Sequence, residues 1–264
     1  MRIQVVVIKH KKMAISLHWQ QVKYVCDYEK DLPSGGGIAY CTIGEDSFAI
    51  FGALGKRRYN ELFIYNTTTN KFTKASMDGA PSRRCKASLC CRTVSPTQHI
   101  IYMFGGRTNE GKVNDLYEYN IEADKWKELK PKNPPSPRSA HSCVVVGKFM
   151  YLYAGIGDKK FGDMYRYHFD KGEWENVSQV NAPLPRSSYG GLILLEREGK
   201  QMLFHSCGLG CGRYNDTNFF DIKSKTWTTA VTNKGELVPS KRGRHTCVHD
   251  KEKNCIMLIG GFSK

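Results

Sequence analysis

No segment of the chain approaches the ~20 consecutive apolar residues that a membrane-crossing helix needs. The apolar run nearest the N-terminus, Val5-Val6-Val7-Ile8, is short and is followed by Lys9-His10-Lys11-Lys12. A secretory signal has the reverse order, with basic residues ahead of a longer apolar core. The chain therefore reads as cytoplasmic, where its ten cysteines are expected to stay reduced. No two cysteines are spaced as CxxC, and the HxxxH pair His245 and His249 lies in a strand-like pattern. Residues four apart on a strand are roughly 13 Å apart and cannot chelate one ion. The sequence also lacks GxSxG, P-loop and dinucleotide fingerprints, so the usual marks of hydrolase, nucleotide and redox-cofactor chemistry are missing. Neither a metal nor a cofactor is expected. Cysteines within apolar runs, such as Cys143-Val144-Val145 and Cys255-Ile256-Met257-Leu258, pack as small hydrophobes.

What the sequence does have is aromatics, glycine and positive charge. Its 264 residues include 14 Tyr, 12 Phe and 4 Trp, a composition suited to strands. Twenty-five Gly and ten Pro supply frequent turns. Forty basic against 25 acidic residues leave a formal net charge of +15, which steers association toward acidic partners. Lys and Arg are scattered along the whole chain with no RNA-binding signature, which argues against nucleic acid as the partner.

One arrangement repeats. Asn60-Glu61, Asn114-Asp115, Gly162-Asp163 and Asn215-Asp216 are each followed by an aromatic five residues after the first member: Tyr65, Tyr119, Tyr167 and Phe220. A second aromatic follows at twelve: Phe72, Trp126, Trp174 and Trp227. Glycines at 52, 105, 155, 208 and 260 recur about every 50 residues, within the range of propeller repeats. Each unit reads as four short antiparallel strands, and such a unit must stack on its neighbours and close into a ring. The paired glycines Gly105 and Gly106 allow close backbone approach. Tyr119, Trp126, Trp174 and Trp227 are the aromatics expected to pack between units.

These residues resemble the kelch family. The resemblance rests on Phe104-Gly105-Gly106, Asn114-Asp115-Leu116-Tyr117, Trp126, and the Pro-x-x-Arg or Pro-Arg openings followed by His141 and His245. It covers residues 33–264, with Ala53, Ala154, Phe72, Gly162 and Ser206-Cys207-Gly208 departing from the pattern. The fold expected is a single all-β kelch-type β-propeller over 1–264 with about five four-stranded blades. The fifth unit stops after two strands, so residues 1–32, with strands at Ile3–Ile8 and Ile15–Val22, are expected to complete it.

Two groups of residues are candidate partner contacts. Arg83, Arg138, Arg186 and Arg242 each lie three residues before Lys86, His141, Tyr189 or His245, and the first unit has Ser34 at that place. They either bond to carbonyls and acidic groups of neighbouring blades or form an electropositive mouth for acidic residues or phosphate. The loops after each second strand supply Arg57, Arg58, Tyr59, Arg107, Lys160, Phe161, Arg213 and Tyr214, a charged and aromatic mixture typical of contact hot spots. The kelch resemblance implies a non-catalytic scaffold or adaptor that binds a partner protein, acidic, cytoskeletal or part of a ubiquitin ligase. It also implies two alternatives: substrate recognition linked to a ubiquitin ligase, and a metalloenzyme of the galactose oxidase type.

Overall fold

The structure is a computed structural model and describes residues 6–8, 23–189, 191–197, 199–231, 238–250 and 255–263. It opens with strand β1 (Val6–Ile8), then builds blade 1 from β2 (Ala39–Ile43), β3 (Ser47–Leu54), β4 (Arg58–Asn66) and β5 (Lys71–Lys74). Blade 2 comprises β6 (Ser88–Thr93), β7 (His99–Arg107), β8 (Lys112–Asn120) and β9 (Lys125–Leu129). Blade 3 comprises β10 (Ser142–Val146), β11 (Phe149–Ile156), β12 (Lys160–His168) and β13 (Glu173–Val177). Blade 4 comprises β14 (Leu192–Arg197), β15 (Lys200–Leu209), β16 (Arg213–Asp221) and β17 (Thr226–Thr229). Each of these four sheets is an antiparallel meander in chain order.

The fifth sheet has the order β1-β19-β18, with β18 spanning Gly243–Asp250 and β19 spanning Cys255–Phe262. Val6 to Ile8 pair antiparallel with Leu258 to Ile256, so the N-terminal strand supplies the third strand of this blade. The expected Ile15–Val22 strand lies outside the described residues. First strands of all five sheets line one central channel of about 780 Å³. The molecule is a β-propeller.

The aromatic repeat works at the blade boundaries. Trp126, 2% exposed, meets Phe51 of the preceding blade at 5.7 Å between ring centroids and Tyr119 of its own at 5.1 Å. Trp174 sits likewise between Phe104 and Tyr167, and Trp227 between Tyr153 and Phe220. Separate apolar clusters therefore fill the spaces between consecutive blades, and burial of such large rings is the main source of inter-blade cohesion.

Near the end of the second strand of blades 1 to 4 the ladder has a bulge, between Phe51 and Ala53, Phe104 and Gly106, Tyr153 and Gly155, and Ser206 and Gly208. The residue inside it is left-handed: Gly52, Gly105, Ala154 and Cys207 have φ between +59° and +63°, and Gly260 of β19 shares this conformation at +71°. Gly106, Gly155, Gly208 and Gly261 follow at φ between +91° and +114°, a region open to glycine alone. A Cβ on Gly208 would stand 2.8 Å from the Ser187 carbonyl oxygen.

Candidate functional site: the face of lead-in loops and second hairpins

The loops that lead into each blade and the hairpins between second and third strands share one face. Antiparallel bridges join them: Gly36 to Leu54, Cys85 to Arg107, Ser139 to Ile156 and Ser187 to Leu209. This face carries the residues singled out by the sequence, but it uses them differently.

Arg138, Arg186 and Arg242 do not form an open mouth. Their side chains are buried, at 0%, 1% and 3% exposure. Arg138 donates to both carboxylate oxygens of Asp163 at 2.6 and 3.0 Å and to the Ala154 carbonyl at 3.1 Å. Arg186 does the same with Asp216 and the Cys207 carbonyl, and Arg242 donates to the carbonyls of Gly260 and Ser240. The reason is the bulge, whose turned-out carbonyl needs a donor, and the recurring acid of the third strand, which needs a cation. The backbone of each arginine links to the preceding blade, as in Gly106 N–H to Arg138 carbonyl and Gly155 N–H to Arg186 carbonyl. One residue thus joins two blades.

Blade 2 shows a register correction. The arginine in this role is Arg84, 1% exposed and paired with Asp115 at 2.6 and 2.9 Å; Arg83 is exposed beside it. Blade 1 has Gly35, not Ser34, at this register, since Gly36 and Leu54 bridge as Cys85 and Arg107 do. A Cβ on Gly35 would stand 2.2 Å from the Leu54 carbonyl oxygen, so no side chain fits. Blade 1 satisfies its third-strand acid from the hairpin instead: Arg57 donates to Glu61 at 2.7 Å.

The hairpin residues also have structural partners. Arg58, Tyr59, Lys160, Phe161, Arg213 and Tyr214 belong to third strands, not to loops, because the hairpins are tight. Tyr59 and Phe161 are buried and so unavailable to a partner; the Arg138 guanidinium lies 4.2 Å from the Phe161 ring centroid. Tyr214 packs under Arg186 in the same way at 4.4 Å. The first residue of each third strand reaches the next blade's hairpin. Arg58 donates to Asn109, Lys112 to the Gly157 carbonyl and Lys160 to the Gly210 carbonyl, while Arg213 stacks on Phe262 at 4.6 Å. This belt was missed in the sequence because its acceptors are mostly backbone carbonyls, which no residue type announces.

What remains open on the face is a different set of cations. Lys56, Arg83, Lys86, Arg107, Lys159 and Arg244 have no carboxylate partner among the described residues, and all but half-buried Lys86 are exposed. Lys86 sits at the channel mouth with φ +58°. A backbone relay places it there: Lys86 N–H donates to Gly37, Ala140 N–H to Lys86, and Ser188 N–H to Ala140. Ala140 is small, so the Lys86 ammonium reaches across it to lie 5.8 Å from the Tyr189 ring centroid.

Buried histidines stand behind this mouth. Burial holds His141 down to about 3 and His245 to about 4, with the nearby Arg138 and Arg242 guanidinium groups adding to the effect. His205 is lowered too, by burial first. Its Nε2 is 2.8 Å from Ser188 Oγ, which is 2.7 Å from Ser142 Oγ. Among the described residues no group of three or more His, Cys, Asp or Glu is placed to hold a metal ion.

The comparison with known proteins agrees with this geometry. The KLHDC2/KLHL20/DRC7 Kelch-repeats domain matches residues 37–261. The chain belongs to the Kelch-repeat family. Within this kelch propeller, three curated relatives each match less than half of the chain. Host cell factor 1 of Homo sapiens is 34% identical over 122 residues, 43% of this chain and 6% of that protein. Host cell factor of Drosophila melanogaster is 29% identical over 121 residues, 44% of this chain and 8% of that protein. Adagio-like protein 1 of Oryza sativa subsp. japonica is 27% identical over 133 residues, 48% of this chain and 20% of that protein. The matched stretches are thus a small fraction of these relatives' own length.

Proposed function

We propose that this kelch propeller is a non-catalytic interaction module that docks an acidic segment of a partner protein on the face of lead-in loops and second hairpins. The observation that carries the reading is the difference between the two faces. On the hairpin face the six unpaired cations stand against exposed Glu110 and Asp158. The opposite face mixes signs, with Glu45, Asp46, Glu122 and Asp170 beside Lys148, Lys171 and Lys223, and some pair locally, as Lys148 does with Asp170 at 3.6 Å. A predominantly positive surface around a channel mouth raises encounter rates with opposite charge and gives a steep salt dependence. The hairpins that present these charges are held blade to blade by the belt, so the surface is preorganised, which lowers the entropic cost of binding.

The test uses synthetic acidic and charge-neutral peptides of equal length, measured by fluorescence anisotropy at rising salt. The reading expects binding of the acidic peptide, weakened by salt and by Lys86→Glu with Arg244→Glu. Equal binding of both peptides, or none by either, contradicts it.

A further inference from the structure

Docking of a partner on the rim leaves the central channel below it unused. Its volume of about 780 Å³ falls in the range of small-molecule sites. Its walls are the first strands, of which β6 and β14 have six residues each, so it is roughly 20 Å deep at ~3.3 Å per residue. The side chains open to it are mainly apolar. Tyr40 and Val248 are each 37% exposed, and Cys143, Val145, Ile193 and Leu194 are half-buried along the channel. Large apolar groups left open inside a concave surface mark a binding site in a way that scattered ones on a convex surface do not.

Charge gives the channel a direction. Among the described lining residues Lys86 is the one lysine or arginine and Glu196 the one aspartate or glutamate. They stand at opposite ends. Lys86 precedes β6 at the hairpin-face mouth, whereas Glu196 pairs with Gln201 beside the turn into β15, at the far opening. The mouth is shaped by five left-handed residues, one in each lead-in loop: Gly37, Lys86, Ala140, Tyr189 and Arg244, with φ between +53° and +73°. Four of them carry side chains that disfavour this conformation, a strain that collects at ligand sites. The two small ones, Gly37 and Ala140, leave the mouth open, and Lys86 leans over Ala140 toward the Tyr189 ring.

We infer that the channel is a binding site for a linear monoanion with an apolar tail, a long-chain carboxylate. The carboxylate pairs with the Lys86 ammonium beside Tyr189. One ammonium is a point charge suited to one carboxylate, and the guanidinium forks of Arg84, Arg138 and Arg186, which would suit phosphate, are already engaged by acids. The tail runs down the wall past Cys143 and Ile193 toward Thr42, an exposed lining residue near the far end of β2. Glu196 at that end disfavours a second carboxylate by like-charge repulsion. The site does not rest on the docking of an acidic segment, since the tail lies below the rim.

Isothermal titration calorimetry of the folded native chain with octanoate, dodecanoate and tetradecanoate, each below its micellar concentration, tests the inference. Affinity is expected to rise with chain length, by up to about fourfold per buried methylene. Dodecanol and dodecanedioate should each bind at least tenfold more weakly than dodecanoate. Lys86→Met should remove the preference for the carboxylate over the alcohol. Thr42→Trp, which fills the far end from an exposed position, should weaken tetradecanoate, spare octanoate and leave binding of the acidic peptide unchanged. The inference is overturned if dodecanoate does not bind, if dodecanol or dodecanedioate binds as tightly, or if both folded variants bind the series as the native chain does. The native chain with the alcohol and the diacid decides the outcome even where a variant fails to fold. Absence of peptide binding, with the carboxylates bound as expected, would count against the rim reading alone.

Discussion

The Arg138 guanidinium, 0% exposed, is held by both oxygens of the Asp163 carboxylate at 2.6 and 3.0 Å, and the same pair recurs as Arg84 with Asp115 and Arg186 with Asp216. The recurrence makes these ion pairs part of the blade's construction and removes three arginines from the binding surface.

Removing the acid while leaving the cation in place should be costly. Asp163→Ala is expected to destabilise by about 3–5 kcal/mol, the range for an uncompensated buried charge. Partial exposure of Asp163, 29% for its side chain, puts the loss toward the lower end by admitting water. Replacing both partners, as Arg138→Met with Asp163→Leu, should recover much of that loss. Denaturant unfolding of the single and the double variant beside the native chain checks the recovery.

The two glycines of the bulge should differ. Ala154 occupies the first position with φ +63°, so Gly105→Ala is expected to cost about 1–2 kcal/mol, the usual left-handed penalty. A new Cβ would be tight at both sites, 2.8 Å from the Arg138 carbonyl oxygen at Gly105 and 2.9 Å from His141 Cβ at Gly155, so the larger cost expected for Gly155→Ala, roughly 2–4 kcal/mol, comes from its φ of +106°. Thermal unfolding of the two variants side by side gives the order.

Acid should loosen the ring. His141 and His245 have folded values lowered to about 3 and about 4, against roughly 6.5 when unfolded. A lowered value means that the unfolded chain binds the proton first. The stability is therefore present above the unfolded value, lost as pH falls below it, and fully lost once pH passes the folded values. Each histidine contributes a slope of about 1.4 kcal/mol per pH unit in that window. Urea midpoints between pH 7 and pH 5 should fall, and His141→Gln should flatten the slope by about one proton.

The hairpin belt should govern local order more than global stability. Lys160→Ala removes the donor to the Gly210 carbonyl and is expected to cost below ~1 kcal/mol in unfolding, as partly exposed polar contacts do. Amide exchange in the 210–212 hairpin should accelerate, because local opening is controlled by such contacts. Unchanged exchange would show that the hairpin is rigid without its latch.

How far the fold could be read from the sequence follows from what each residue touches. Tyr119 and Trp126 announce themselves because large rings at fixed offsets bury against a neighbouring blade, and a buried aromatic cannot be shifted by one residue without loss. The N-terminal strand was legible by subtraction, since the last unit has two strands of its own and Val6–Ile8 supplies a third. The arginine register was not fixed by counting back from Lys86, since Arg83 and Arg84 are adjacent and only the structure shows which one meets Asp115. A usable signal was present: units carrying an acid at Glu61, Asp115, Asp163 and Asp216 each require a cation, and the unit lacking the lead-in arginine has Arg57 four residues before its Glu. The open cations at Lys86 and Arg244 could not be picked out, because pairing depends on neighbours distant in sequence.

The central claim is that partners bind the hairpin face, and a comparison of two charge-reversed variants tests it. One carries Arg83→Glu, Lys86→Glu, Arg107→Glu and Arg244→Glu; the other carries Lys125→Glu, Lys171→Glu and Lys223→Glu on the opposite face. Both are confirmed to be folded and compared with the native chain by anisotropy against the same acidic peptide at moderate salt. The account predicts at least a tenfold loss of affinity for the first, a difference of about 1.4 kcal/mol, and less than threefold for the second. Equal losses in both, or loss only in the second, would contradict it.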